Sequence, residues 1–308
     1  MLESSYFIDA GAWNIRLYDP KTRTIFTTRS CRLQKKPQIW GREALEKVWE
    51  SNSESLVYPF SDGQIQLDPG SILTGLFEKY PTDRCWMIPS LKVLCPNDSQ
   101  EQSDRWNIHC LSKGFRTIGL LNPFTCGSIR DGFLIHSGAS RTHFVLYSQG
   151  EIIESDSAGL GGLTIDRAIS SEIASVFKVL ITPEDAAALK EAASNALNSG
   201  KNATLSVTGL DQHNQYVQIS FKAADLWGCM ERVLGRIVSN AAGFICRRGP
   251  EVMEEALSHP VLLSGGLGAC FGLRQLLEGQ LKAPVKVVDH PDTWAMDQYV
   301  RTKNRIRE

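Results

Sequence analysis

No two cysteines in this chain are separated by just two residues, although there are eight of them in 308 positions. Thiols scattered in this way read as reduced core residues of a cytosolic protein, not as a disulfide frame or a zinc site. His109-Cys110 is the one adjacent His/Cys pair, and neighbours in sequence lack the spacing of zinc ligands. No apolar run reaches the roughly 18 residues of a membrane-spanning helix. The N-terminus carries Glu3 and goes straight into an apolar strand, so no signal peptide is expected. An excess of one charge is also missing. The formal net charge is −1, which leaves no global field to recruit nucleic acid.

What is present is a strand-and-turn unit between Phe133 and Ala168. An apolar strand at Phe133–Ile135 enters the small-residue turn Ser137-Gly138-Ala139-Ser140. A second strand, Thr142 to Ser148, is followed by a Gln149-Gly150 turn and a third strand around Glu151–Glu154. Gly159-Leu160-Gly161-Gly162 then leads into a helix near Thr164. The glycines let backbone approach a ligand closely, and successive amides in such a turn can form an anion nest. The N-terminus carries a like unit: Tyr6-Phe7-Ile8-Asp9-Ala10-Gly11-Ala12 parallels Phe133-Leu134-Ile135-His136-Ser137-Gly138-Ala139. Two such units in a chain of this length predict two like-folded domains, each aiming a strand-turn-strand loop at a shared cleft.

Between these units the pattern predicts a short helix at Glu43–Glu50, another near Gly70–Tyr80 and a buried strand at Cys85–Ile88. Residues 96–106 read as a polar loop leading into an exposed helix, and Thr117–Leu121 as a strand. After the second unit, Thr182-Pro183-Glu184-Asp185 is a helix start, with Thr182 as the N-cap and Pro183 in the first turn. That helix runs to Asn198, and a hairpin follows between Leu205 and Phe221. A long amphipathic helix covers Leu226 to Ile245. The strand Val261–Ser264 enters Gly265-Gly266-Leu267-Gly268, from which a helix is expected at Ala269–Leu281. A glycine-rich strand-to-helix turn suits an anion or a close-lying nucleotide, although this one is neither a GxGxxG fingerprint nor a Walker P-loop. A strand at Val285–Val288 and a helix from Asp292 close the chain.

These loops, in this order, resemble the actin/sugar-kinase/DnaK ATPase superfamily, and most nearly the MreB family of bacterial actins. Ile8-Asp9-Ala10-Gly11-Ala12-Trp13-Asn14 is similar to the family's first phosphate loop, and Pro59-Phe60-Ser61-Asp62-Gly63 to its Pro-x-x-Asp-Gly. Asn122-Pro123 falls where the family has Glu-Pro. Gly161-Gly162 with Asp166-Arg167-Ala168-Ile169, Leu189-Lys190-Glu191, Ser264-Gly265-Gly266-Leu267-Gly268 and Pro291-Asp292-Thr293-Trp294-Ala295 resemble further family motifs in register.

The resemblance implies an α/β, duplicated actin-like (ribonuclease H-like) ATPase fold with two lobes, each a core and a small subdomain. It implies a lobe I core at 1–30, 60–132 and 288–308 with a small subdomain at 31–59. It implies a lobe II core at 133–180 and 223–287 with a small subdomain at 181–222. ATP with Mg²⁺ is expected in the cleft. The implied nucleotide-binding residues are Asp9, Gly11, Ala12, Trp13 and Asn14; Gly138, Ala139, Ser140 and Arg141; Gly161 and Gly162; Lys190 and Glu191; and Gly265, Gly266, Leu267 and Gly268. Asp9 would hold Mg²⁺ through water; otherwise it bonds turn amides.

Departures from the family accompany these matches. His136 stands where the second phosphate loop has a metal-organising aspartate, and Arg141 where it has threonine. His136 reads as a neutral core histidine bonding backbone. Arg141 either pairs with phosphate or is a surface arginine on a hairpin. Asn122 replaces the water-orienting glutamate; it cannot take a proton as a general base but could orient a water. Weak or absent hydrolysis follows. The functional reading is a nucleotide-binding cytoskeletal protein of cell shape that self-associates or joins MreB filaments, without an intrinsic membrane anchor and without nucleic acid. It would be cytoplasmic, reaching the inner membrane through partner proteins. A non-polymerising FtsA- or PilM-like adaptor is the alternative, and a small-molecule kinase a third reading.

Overall fold

A computed structural model describes residues 5–48, 54–79, 89–97, 99–125 and 129–305. The chain divides into two compact units, Met1–Cys126 with Ala295–Glu308, and Gly127–Trp294.

In unit 1, β1 (Ser5–Ala10), β2 (Asn14–Asp19) and β3 (Thr24–Arg29) form an antiparallel meander. Period-two alternation sorts the side chains of β1. Tyr6, Ile8 and Ala10 enter one apolar cluster, while Phe7 enters another with Tyr18. Beyond the meander, β4 (Arg32–Leu33), α1 (Gly41–Lys47) and β5 (Leu56–Val57) gather around Cys31, Leu33, Ala44 and Leu45. The chain returns through β6 (Phe60–Ser61), β7 (Gln64–Ile65) and α2 (Ile72–Lys79) to β8 (Ser90–Leu94). Helix α3 (Gln100–Cys110) then leads to β9 (Thr117–Leu121). The sheet order is β3-β2-β1-β8-β9, with β8 and β9 parallel to β1. The polar composition of α3 suggests exposure, yet Trp106 is fully buried. Its indole stacks on Phe60 and donates to the Gly63 carbonyl at 2.9 Å.

Unit 2 repeats the plan. Strands β10 (Gly132–Ser137), β11 (Thr142–Ser148) and β12 (Glu151–Ala158) form the meander. They are followed by α4 (Gly162–Phe177), α5 (Pro183–Asn198) and the hairpin β13 (Thr204–Leu210)–β14 (Tyr216–Lys222). Next come α6 (Trp227–Cys246), α7 (Pro250–Leu257), β15 (Val261–Ser264), α8 (Leu273–Leu281) and β16 (Val285–Val287). The order β12-β11-β10-β15-β16 has the same sense as the first sheet, antiparallel outward through the meander and parallel on the other side of its first strand. The duplicated actin-like fold is therefore present, two five-stranded sheets with identical topology. Phe133, Ile135, Phe144 and Leu146 pack against Met230, Leu234, Ile237 and Phe244 of α6. Thr182 caps α5 by accepting from the Asp185 amide at 2.8 Å, with Asp185 reaching back. The last helix, α9 (Trp294–Arg305), belongs to unit 1 from Ala295 onward, where Met296 packs with Phe7, Tyr18 and Leu94.

Several boundaries differ from expectation. The third strand of unit 2 continues to Ala158, because every residue from Thr142 to Leu146 finds a partner on it. The helix expected at Ala269 starts at Leu273. A single 3-10 turn occupies Gly266–Ala269, and Gly272 then takes φ +81°. A residue at that φ cannot lie inside a right-handed helix, and no side chain fits there, since a Cβ at Gly272 would sit 2.1 Å from the Trp227 ring of α6, which also meets Phe271 edge-on. The strand expected at Cys85–Ile88 lies outside the described residues, whereas β8 follows it. No described helix is long and apolar enough to cross a membrane.

The thiols are not uniformly buried. Cys31, Cys95, Cys110, Cys229 and Cys270 are buried, but Cys246 at the end of α6 is exposed. Burial pushes the Cys110 thiol up to about 12, so it stays protonated and poorly nucleophilic. Iodoacetamide on the native protein is expected to label Cys246 first among these six, read by peptide mass spectrometry. Equal labelling of Cys110 would contradict the packing around Trp106.

Candidate functional site

In unit 1 the β1–β2 turn, Gly11-Ala12-Trp13, is clamped from the end of β3. Ser30 Oγ donates to the Gly11 carbonyl at 2.7 Å, and the Ser30 amide to the Trp13 carbonyl at 3.1 Å. Gly11 is needed because a Cβ there would meet the Asn14 carbonyl at 2.9 Å. Trp13 stacks on Tyr58, with centroids 6.1 Å apart, and the Arg29 guanidinium lies 4.7 Å from its ring. Arg29 also donates to Asn14 Oδ1 at 2.7 Å. Asp9 sits opposite Arg16 in the β1–β2 register, and the two form an ion pair of 3.1 Å. Asn122 Oδ1 accepts from the Phe124 amide at 2.9 Å, an Asx turn over Pro123. Its carbonyl accepts from the Thr125 hydroxyl and from Tyr299 of α9.

In unit 2 the β10–β11 turn is closed by the Gly138 amide donating to the Arg141 carbonyl at 2.8 Å. The start of α4 is held against it. The Gly162 amide donates to the Gly138 carbonyl at 3.0 Å, and the Leu163 amide to the Ala139 carbonyl at 2.9 Å. A Cβ on Gly161 would lie 2.5 Å from the Ala139 carbonyl oxygen. The first amides of α4 are thus spent on loop carbonyls and do not form an anion site. Gly265 takes φ +85°, and a Cβ there would be 2.2 Å from the Ser137 carbonyl oxygen. Its amide donates to the Pro291 carbonyl at 2.7 Å, and the Gly268 amide returns to Gly265 at 2.8 Å. Gly266 is exposed, while the Leu267 side chain is buried in the unit's core, so only its backbone borders the turn.

The polar side chains divide by what they bond. His136 Nδ1 is 2.9 Å from Ser264 Oγ, joining the end of β10 to the end of β15. The parallel register that sets His136 beside Ser264 makes this side-chain contact possible. His143 stands opposite His136 on β11, with ring centroids 6.4 Å apart. Arg141 is exposed and donates to the Ser157 hydroxyl at 3.1 Å. Ser140 lies in the same turn, half-buried, and Glu191 is exposed on α5. Lys190 is drawn into the unit instead. Its ammonium lies 2.7 Å from the buried Asp166 carboxylate and 3.5 Å from the Gly162 carbonyl. Burial raises the Asp166 carboxyl above its ordinary value, opposed by the nearby Lys190 charge.

The structure thus gathers the Gly138–Arg141, Gly161-Gly162, Lys190 and Gly265–Gly268 segments within unit 2, and the Asp9–Asn14 segment with Tyr58 and Arg29 in unit 1. Four partners escaped the sequence reading: Arg16, Tyr58, His143 and the pairing of Asp166 with Lys190. Hairpin register would have found Arg16 and His143, since each faces its partner directly across a short turn. Tyr58 and the Lys190–Asp166 pair required the tertiary fold.

Two outcomes follow from this packing. Gly265→Ala combines a positive φ with a backbone clash and is expected to cost about 2 kcal/mol or more, against a few tenths for Gly266→Ala, whose Cβ meets nothing. Thermal melts of the two variants compare them, and equal melting temperatures would contradict the interlock. Lys190→Met leaves Asp166 buried without its cation and is expected to cost roughly 3–5 kcal/mol at neutral pH. The Asp166 carboxyl is raised in the folded state, so folding binds this proton more tightly. Stability from this group is present below the unfolded value of about 3.9 and is lost as pH rises through the raised folded value. Without Lys190 the rise is larger. Melting temperature should therefore fall more steeply with pH between about 4 and 7 in the variant than in the wild type. Parallel curves would sink the assignment.

Known proteins resemble this chain at two levels. In sequence, the family described as MreB/Mbl protein matches residues 124–307. The cell shape-determining protein Mbl of Bacillus subtilis (strain 168) is 25% identical over 159 residues, covering 51% of this chain and 48% of Mbl. Its namesake from Bacillus cereus is 24% identical over the same extent. The chain thus spans about half the length of the curated relatives it matches. In structure, MreB 5 of Spiroplasma citri bound to AMPPNP superposes with a TM-score of 0.87 at 14% identity, covering 100% of this chain and 98% of that one. The MamK double helical filament subunit gives 0.73 at 13%, covering 97% and 99%. These likenesses establish the actin-like fold. With the family match spanning well over half of its length, the chain belongs to the MreB/Mbl family.

Proposed function

We propose that this protein is an actin-like cytoskeletal subunit that binds nucleotide, assembles into filaments with like subunits and serves cell shape, with slow or absent hydrolysis. The observation that carries the reading is the unit 2 loop scaffold. The Gly138–Arg141 turn, the Gly161-Gly162 turn and the Gly265–Gly268 turn are interlocked by backbone contacts that tolerate no Cβ at Gly161 or Gly265. Such close backbone packing serves a loop that must hold its shape around a ligand. The names of the relatives support the rest: Mbl is called cell shape-determining, MreB 5 was crystallised with ADP and with AMPPNP, and MamK forms a double helical filament.

ATP is the nucleotide the reading favours, contacted by the glycine-rich turns and by Glu191 on α5, with Lys190 acting through the turn it braces. The Lys190 ammonium is already committed to Asp166, so its share is to fix the Gly162 turn. Hydrolysis requires a group that positions or deprotonates water. Asn122 is the candidate, and its side-chain oxygen is held in its own turn. Like subunits joined head to tail make heterologous contacts, which generate open polymers. Attachment to the membrane would come through partner proteins. The lobe boundaries expected from the family, with small subdomains at 31–59 and 181–222, belong to the same reading.

Sedimentation and negative-stain electron microscopy of the purified chain, without nucleotide and with ATP or AMPPNP, test it. Filaments are expected with either nucleotide, and phosphate release is expected to lag far behind assembly. Monomers under every condition would overturn the cytoskeletal reading in favour of a non-polymerising adaptor.

A further inference from the structure

Magnesium takes hard oxygen ligands, usually one or two carboxylates together with phosphate oxygens. The family resemblance points to two positions that should organise it, Asp9 and residue 136. They occupy the same place in the two repeated units, at the end of the first strand of each sheet. Neither fits. Residue 136 is histidine, whose imidazole nitrogens suit zinc, copper, iron or nickel rather than magnesium. Its Nδ1 is engaged with Ser264. Asp9 is already compensated by the Arg16 guanidinium at 3.1 Å, and Arg16 is itself only 13% exposed. A dication brought to Asp9 would stand beside that fixed positive charge. The cross-strand neighbours do not help, being Arg16 in one unit and His143 in the other. Among the described residues, no group of three or more His, Cys, Asp or Glu could hold a metal.

A triphosphate still needs counter-charge. At the turn of unit 2 where the family has threonine, this chain has Arg141, exposed and donating through one Nη to the hydroxyl of the half-buried Ser157. A guanidinium fork matches phosphate oxygens and gives charge-assisted bonds. Exchanging this single neutral hydroxyl contact for phosphate costs little, since the Arg141 side chain is exposed to solvent and a charged partner bonds it more strongly.

We propose that nucleotide binding by this protein does not require a divalent metal, and that Arg141 supplies the positive charge that the metal supplies elsewhere. This rests on the nucleotide-binding reading above. The aspartate lost at residue 136 and the arginine gained at residue 141 then form one exchange. Removing the acid removes the metal's anchor, and adding the base restores the neutralisation.

Calorimetric titration of the full chain with ATP, in excess EDTA and in excess magnesium, tests both parts. The two affinities are expected to agree within about threefold, which is under 1 kcal/mol. Arg141→Ala should weaken binding by about tenfold or more in both buffers, the loss of a charged hydrogen bond, while Arg141→Lys should recover part of it. His136→Asp should create a preference for the magnesium buffer. Binding that vanishes in EDTA would overturn metal independence and leave the nucleotide reading standing. Absence of binding in both buffers would overturn both. Unchanged affinity in Arg141→Ala would remove the arginine's role.

Discussion

Backbone against backbone, with no room for a methyl group, is the contact on which unit 2 depends. At Gly161 and Gly265 the chain passes so close to the carbonyls of Ser137 and Ala139 that any side chain would collide. Each glycine costs about 0.5–1 kcal/mol of extra chain entropy relative to alanine. The return is a set of direct bonds, in which the β10–β11 turn lends its carbonyls to the first amides of α4. Because these contacts are made by main chain, the turn keeps its shape whatever side chains it carries. His136, Ala139 and Arg141 could replace the family's residues without loosening the scaffold that holds them.

The two units make this separation of shape from chemistry visible. Both sheets share an order and a register, so Asp9 faces Arg16 as His136 faces His143. In unit 1 the pair is an acid and a base. In unit 2 it is two imidazoles, with a serine hydroxyl from the next strand taking one nitrogen. Cross-strand pairs stabilise a sheet by fractions of a kcal/mol to about one. Either pair therefore serves the fold, and the difference between them falls on what the loop ends can attract.

How much of this was legible in the sequence depended on how local the cause was. The start of α5 was readable because Thr182, Pro183 and Asp185 carry their own instructions within one turn. The meanders were readable because alternation and turn residues lie side by side. The start of α8 was not, since it is set by the positive φ of Gly272, at a place where Trp227 of α6 leaves no room for a side chain. The polar run around α3 hid Trp106, whose partners Phe60 and Gly63 lie on an earlier hairpin. Among the site residues, the glycines were legible as glycines. Their purpose as points of main-chain collision was not, because the colliding carbonyl belongs to another segment each time. Lys190 was legible by its position in a motif, but its 2.7 Å pairing with the buried Asp166 was not, since that partner lies on another helix.

Under the proposed function, a site that keeps its frame and changes its charges would hold a nucleotide longer than it would cleave it. The proposed ground-state binding would draw on the fixed shape of the turns and on the counter-charge of Arg141. Cleavage needs groups poised where charge develops in the transition state, and the residue proposed to handle water, Asn122, has its side-chain oxygen bonded to the Phe124 amide. A ligand bound and not turned over acts on the folded state by mass action, worth about 2.7 kcal/mol at a hundredfold excess over its dissociation constant. Under the proposed function, nucleotide would serve this protein as a structural component more than as a fuel. A polymer built from such subunits would be governed by whether the ligand is present, not by the clock of its hydrolysis.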